Sequence, residues 1–226
     1  MENNFKVSVI IPVFNLGSFI ERAIKSVFAQ SFPKEKIEII VVNDGSTDET
    51  TIILNKYSKE IMIINQSNMG AVKAANVGFR NASGEYIIKL DGDDCFEPNI
   101  LKEFVSVLDN YSEIDFVYAD YYEELNGKRK LNSPKNVFET IAGGVMFRKK
   151  ELVINNFYNE KLFFPEYAIF LKNSNWRGFY IQQPLYIYYR RSASLTSNKK
   201  KVAQGIRQLI EFFPDCANQI NKIRPY

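Results

Sequence analysis

Short apolar runs alternate with segments of helical period along the first half of the chain. Lys6 to Val13 is nearly continuous in apolar character and predicts a strand buried on both faces. Phe14-Asn15-Leu16-Gly17 breaks it, and Phe19, Ile20, Ala23, Ile24, Val27 and Phe28 then recur at helical spacing as far as Gln30-Ser31-Phe32-Pro33. Ile37 to Val42 predicts a second strand, which ends in Asn43-Asp44-Gly45-Ser46-Thr47-Asp48-Glu49. Ser46 and Glu49 have capping-box spacing, so a helix is expected to start there at once. A strand over Ile61 to Asn65, a helix over Asn68 to Phe79, a strand over Glu85 to Leu90 and a helix from about Pro98 to Leu108 follow. Four strand–helix units with room for parallel crossovers argue a doubly wound α/β layer.

The second half is less regular. Asp115 to Glu123 is strand-like, and Asn126-Gly127 signals a hairpin turn. Ile141 to Arg148 reads as a short strand whose pair, Gly143-Gly144, would let a ligand or backbone approach closely. Pro165 to Leu171 predicts a helix, and Phe179 to Tyr189 is extended and aromatic. Behind Lys199-Lys200-Lys201, residues Val202, Ile206, Leu209, Ile210 and Phe213 fall at helical spacing. A solvated face over a packed helix explains that basic run; a membrane-surface contact or a dimer contact is the functional alternative.

Composition narrows the classes. The chain has 226 residues, 46% of them hydrophobic, enough for one large domain or one domain with a small annex. A net charge of +3 argues against a dedicated nucleic-acid binder, which concentrates basic residues on one face. No apolar run is long enough to span a bilayer and the N-terminus lacks signal-peptide order, so the expected location is cytoplasmic. Cys95 and Cys216 lie far apart and read as free thiols. The chain contains no histidine, which excludes Ser-His-Asp and Cys-His nucleophiles and leaves acid–base work to Asp, Glu, Lys, Tyr or Cys.

The candidate chemistry gathers at strand ends. Tyr86 to Leu90 runs into Asp91-Gly92-Asp93-Asp94, three carboxylates within four residues. Such carboxylates repel one another unless a cation sits among them, and oxygen ligands suit Mg²⁺ or Mn²⁺. Mg²⁺ is usually held by one or two carboxylates and completes its shell with phosphate oxygens. Asp44, at the end of the second strand, opens onto the same sheet edge. A lone carboxylate able to accept from a ring N–H, beside a cluster that grips a diphosphate through a metal, describes a nucleoside diphosphate site.

These pieces, in order, resemble the family-two glycosyltransferases, inverting enzymes of GT-A fold. The resemblance rests on Val7 to Asn15, Ser26 to Gln30, Glu38 to Asp48, Asn68-Met69-Gly70, Asn76-Val77-Gly78 and Ala82 to Asp94, with weaker matches at Gly143 to Arg148 and Pro184 to Arg190. It implies a GT-A, Rossmann-like, mostly parallel sheet with helices on both faces. Residues 1–110 would form a nucleotide-binding half, 111–196 an irregular acceptor-side half of the same domain, and 197–226 a helical tail. It further implies a UDP-sugar donor, a saccharide or lipid-linked glycan acceptor and a Mg²⁺ or Mn²⁺ cofactor. A peripheral contact at the inner membrane face and a homodimer are the further partners it suggests. Pro12, Phe14 and Asp44 would line the base pocket, with Asp44 facing uracil. Asn15, Asn68 and Gly92 would complete the nucleotide site. Asp91 and Asp93 would serve ribose and the diphosphate-bound metal, and Asp94 would flank the sugar.

The chain departs from the family pattern at three places. Ala74-Ala75-Asn76 stands where Ala-Arg-Asn is common, with Lys73 as a substitute cation. Glu166-Tyr167 stands for an acidic Glu-Asp pair, leaving Glu166 as the expected base and Asp94 as the fallback. Arg191-Ser192-Ala193-Ser194 replaces a usual histidine. Among rivals, a dehydrogenase needs G-x-G-x-x-G after the first strand, where this chain has Pro-Val-Phe-Asn. A nucleotidyltransferase wants a glycine-rich loop there, and an aspartyl-phosphate phosphatase wants a threonine where Cys95 stands. The alternative from another class is a nucleotide-sugar-binding or scaffold subunit of a glycan-assembly complex.

Overall fold

The computed structural model describes residues 5–141, 143–191 and 198–223. Four parallel strands form the first half of one sheet: β1 (Val7–Val13), β2 (Ile37–Asn43), β3 (Met62–Asn65) and β4 (Tyr86–Lys89). Their spatial order is β3-β2-β1-β4, so the chain leaves β1 first toward β2 and later returns to β1's other side. A crevice opens at that reversal, beyond the strands' carboxyl ends.

Pro12 shapes the crevice. Proline in a central strand normally costs a ladder bond. Ile10 O accepts from Leu90 N–H on the β4 side, and Val13 O accepts from Asp44 N–H on the β2 side. Backbone groups alternate along a strand, so the missing Pro12 N–H faces β4, whose pairing with β1 ends at Ile10↔Lys89. The proline thus sits where no donor is wanted.

Helices cover both faces. α1 (Gly17–Phe28) and α4 (Ile100–Asn110) pack Ile20, Ile24 and Phe104 against Val9, Ile11 and Val41. α3 (Ala71–Asn81) lays Ala74, Ala75 and Phe79 on Ile10, Ile40 and Val42 of the other face. Burying these side chains is the main stabilising term, on the order of 1.5–3 kcal/mol for each large one.

The second half extends the sheet and turns it mixed. β5 (Cys95–Phe96), β6 (Phe116–Leu125), β7 (Lys128–Asn132), β8 (Met146–Arg148) and β9 (Gly178–Tyr189) complete a nine-stranded sheet. β8 is antiparallel to both β4 and β6, while β6 and β9 run parallel. The register of β6 and β9 shifts around Ala119 to Tyr121, and the end of β9 reaches the crevice with Tyr188. α5 (Lys149–Ile154) follows β8, and α6 (Pro165–Lys172) starts at Pro165 as its proline predicts. α7 (Lys199–Phe212) packs Val202 and Leu209 on Leu162, Phe164 and Tyr167, together with Ile220 of α8 (Ala217–Ile220).

Two expectations need correction. No capping box forms at Ser46 and Glu49: α2 spans Thr50–Asn55, and its N-cap Glu49 makes no side-chain cap bond. The Ser46 hydroxyl accepts from Asn15 N–H instead, and Asp48 accepts from the N–H groups of Gly17 and Thr50. These residues tie the β2–α2 loop to the start of α1, which outweighs a local cap. Strand geometry after Ile141 begins only at Met146. Gly144 takes φ +73°, and a Cβ there would stand 2.6 Å from the Tyr186 ring. The close approach is made by the protein's own tyrosine.

Candidate functional site

A cavity of about 600 Å³ occupies the crevice. The β1–α1 loop supplies Pro12, Phe14 and Asn15, and the end of β2 supplies Asp44. Asn68 and Gly70 precede α3, Lys89 ends β4, and Asp91, Gly92, Asp93 and Asp94 follow it. The second half closes it with Tyr158, Glu166, Tyr167, Tyr188 and Arg191. Phe14 is 43% exposed, an aromatic face left uncovered at a pocket wall.

Asp44 is buried and organises one wall. Its Oδ1 accepts from Gln66 Nε2 at 2.7 Å and from Met69 N–H at 2.8 Å, and its Oδ2 accepts from Gly70 N–H at 2.8 Å. The carboxylate therefore fixes the loop that carries Asn68. Gly45 allows this packing: its φ is +77°, and a Cβ would meet Asn68 N at 2.8 Å. Asn15, itself at φ +50°, accepts from Thr47 N–H at 2.7 Å and ties the β1–α1 loop to the loop that follows Asp44.

The acidic cluster is interleaved with cations. Lys89 Nζ lies 2.7 Å from Asp91 Oδ1 and 3.6 Å from Glu166 Oε1. Burial alone would lower the ammonium's pKa, but Asp91 and Glu166 outweigh it and hold the group well above the ordinary lysine value. Arg191 donates to Asp93 Oδ2 through Nε at 2.8 Å and through Nη2. Asp94 is buried: its Oδ2 accepts from Tyr186 O–H and its Oδ1 from Tyr189 N–H, each at 2.8 Å. Burial, then the charges of Asp93 and Asp91, push the Asp94 carboxyl well above its usual range.

Among the described residues no three acidic or cysteine side chains surround a common point for a metal. A cation held by protein alone is not built here. The donor set suits the other mode, in which one or two carboxylates share the ion with phosphate oxygens. Asp93 and Asp91 both line the cavity and fit that role.

Glu166, in the first turn of α6, reaches the cavity beside Lys89. Burial raises its pKa, and Lys89 opposes that rise. Tyr167 cannot act as a base: it is buried, its hydroxyl donates to Thr140 O at 2.9 Å, and burial pushes its pKa far up.

Of the residues singled out from sequence, Pro12, Phe14, Asn15, Asp44, Asn68, Asp91, Gly92, Asp93, Asp94 and Glu166 all border the cavity. Lys73 is not among the lining residues, and its charge acts on Glu160. Sequence reasoning missed Lys89 and Arg191. Lys89 left a signal, a lone charge inside an apolar strand; Arg191 left one in standing where the family has a usual histidine.

The model of glycosyl transferase family 2 matches residues 8–179. The chain belongs to this family. It is 38% identical over 122 residues to an uncharacterized glycosyltransferase of Rickettsia prowazekii, covering 54% of this chain and 38% of the relative. The chain thus spans under half the length of that curated relative. Family 2's fold is also that of two solved structures. One is TarS of S. aureus in complex with UDP-GlcNAc, with TM-score 0.74, 23% identity and 92% of this chain on 66% of the other. The other is the mannosyltransferase PcManGT of Pyrobaculum calidifontis with GDP-Man and Mn²⁺, with TM-score 0.78, 15% identity and 98% of this chain on 69% of the other. Both likenesses show the GT-A fold.

Proposed function

We propose that this chain transfers a sugar from a nucleoside-diphosphate sugar, a UDP-sugar, to a saccharide or lipid-linked glycan acceptor, with inversion. The observation that carries the reading is that Glu166 borders the same cavity as Asp91, Asp93 and Phe14. A base, a diphosphate site and an aromatic base wall then share one space. The membership in family 2 and the UDP-GlcNAc bound by TarS support a uridine donor.

In this reading Phe14 and Pro12 pack the base, while Asp44 and the loop it fixes close over the nucleoside. Asp91 and Asp93 would hold Mg²⁺ or Mn²⁺ with the diphosphate, and the ion would offset the charge that grows on the leaving group. Glu166 takes the proton from the acceptor hydroxyl as it attacks the anomeric carbon. The hydroxyl oxygen bonds to that carbon, the bond to the diphosphate oxygen breaks, and the diphosphate leaves with the electron pair. Lys89 favours the ionised form of the partly buried Glu166 carboxylate and orients it.

We assign residues 1–110 to the donor half and 111–196 to the acceptor half, with 197–226 as a helical tail over it. The packing of α7 on Phe163 and Phe164, and the place of Ile223 in the cavity wall, support this division. No helix among the described residues is long and apolar enough to cross a membrane. Lys199, Lys200 and Lys201 are exposed at the start of α7 and would carry a peripheral contact with an anionic inner face.

The test is UDP release from a panel of UDP-sugars, with and without saccharide acceptors. Release from one donor that rises with acceptor supports transfer. UDP binding with no release from any donor would leave the chain a nucleotide-sugar-binding subunit.

A further inference from the structure

Asp93 is bracketed by two guanidinium groups. Arg22 Nη2 donates to the Asp93 main-chain carbonyl at 2.7 Å, and the Arg22 guanidinium lies 3.4 Å from the Tyr189 ring centroid. Arg191 approaches the side chain, with Nε and Nη2 both donating to Oδ2, and its guanidinium lies 4.6 Å from the Phe19 ring centroid. Its neighbour Arg190 points elsewhere, to Glu123 at 2.9 Å. Arg190 and Arg191, which follow β9, thus pair with different carboxylates, and Arg191 is the one that lines the cavity.

The pairing is one-sided. A fork-to-fork arginine–carboxylate pair uses both oxygens, whereas here two N–H groups converge on one. Guanidinium has five N–H donors, so Arg191 keeps donor capacity for a second anion, and its geometry suits phosphate. The pair is also only partly buried, with 26% of the Arg191 side chain and 16% of the Asp93 side chain exposed. It can therefore be opened from the cavity side.

We propose that Arg191 makes metal binding conditional on nucleotide: it neutralises Asp93 in the free enzyme and passes to the diphosphate when the nucleotide binds, releasing Asp93 to the ion. This rests on the nucleotide-sugar reading above. A divalent ion approaching Asp93 alone meets a guanidinium on the same carboxylate, and like charges at that range repel. It also finds too few protein ligands, since no third acidic side chain converges there among the described residues. A diphosphate removes both obstacles, because it attracts Arg191 and supplies the missing oxygens.

The test is Mn²⁺ binding by electron paramagnetic resonance, with and without UDP, on the full chain and on Arg191→Gln. The substitution should bind Mn²⁺ alone roughly 10-fold or more tighter than the parent. It should bind UDP in the presence of Mn²⁺ roughly 10-fold more weakly. A merely structural role would weaken both together, and Arg191→Lys, which keeps the charge, should bind Mn²⁺ alone as the parent does. Unchanged or weaker Mn²⁺ binding to Arg191→Gln without UDP, with UDP binding intact in the parent, overturns this inference alone. Failure of the parent to bind UDP at all overturns the nucleotide-sugar reading and this inference with it.

Discussion

Lys89 Nζ stands 3.6 Å from Glu166 Oε1, joining β4 to α6 through a partly buried ion pair. The contact fixes the one carboxylate that reaches the cavity from α6. Burial raises the Glu166 pKa and Lys89 opposes the rise. A base works only when deprotonated, so activity should be lost as pH falls through that raised pKa, at higher pH than for an ordinary glutamate of pKa about 4.3. Glu166→Gln should bind UDP like the parent while transfer slows roughly 10²-fold or more. Lys89→Met should move the acid limb of the pH–rate profile further up, because the opposing cation is gone. Near-parental turnover of Glu166→Gln would remove Glu166 from the reaction.

Asp44 accepts three hydrogen bonds within its own fold, so its substitution has two separable effects. Asp44→Ala leaves the donors of Gln66, Met69 and Gly70 without their acceptor, a loss of roughly 2–4 kcal/mol in stability read by denaturant unfolding. UDP affinity should fall by roughly one to two orders of magnitude as the Asn68 loop loosens. Comparing UDP with CDP isolates direct base recognition, since cytidine N3 carries no proton. A loss equal for both nucleotides would restrict Asp44 to holding the loop.

The first half was legible because each element obeys one period. Short, β-branched apolar runs such as Val7–Val13 read as strands covered on both faces, and the carboxylates that follow β2 and β4 then fall at one sheet edge. The placing of Asp44, Asp91 and Asp93 around one cavity follows from that topology. The antiparallel insertion of β8 and the parallel pairing of β6 with β9 were not legible, although the extent of β9 was. They depend on long-range pairing, and Gly143-Gly144 reads alike whether a ligand or Tyr186 fills the space. Arg191 was visible only as a replacement for the family's histidine, because its role exists only through contact with a residue far away in sequence. The capping-box pattern misled because Ser46 and Asp48 were needed by the neighbouring loop.

Asp94 separates from Glu166 by its surroundings. It is buried, both oxygens accept hydrogen bonds from Tyr186 and Tyr189, and burial with the charges of Asp93 and Asp91 pushes its carboxyl pKa well above the usual range. A carboxyl engaged within the fold at both oxygens is poorly placed to take a proton from an acceptor hydroxyl. Asp94→Asn should fold and transfer within about threefold of the parent, against the roughly 10²-fold or greater loss expected for a base. Steady-state UDP release checks it, and a loss as large as that of Glu166→Gln would make Asp94 the base.

Asp93 decides whether a metal takes part. If a divalent ion bridges Asp93 and a diphosphate, UDP affinity should rise roughly 10-fold or more on adding Mn²⁺ or Mg²⁺. Asp93→Ala should fold, because the side chain is partly exposed and its partner Arg191 can hydrate once unpaired. The contact from Arg22 goes to the Asp93 main-chain carbonyl and survives the change. The substituted protein should keep metal-free UDP binding at or above the parent's level, since Arg191 is then free to meet the diphosphate. It should lose the metal-dependent increment. Calorimetry with metal and with chelator on both proteins reads each quantity directly. Equal UDP affinity of the parent under the two conditions would exclude a metal from the donor site and leave Arg191 and Lys89 as its only cations among the lining residues.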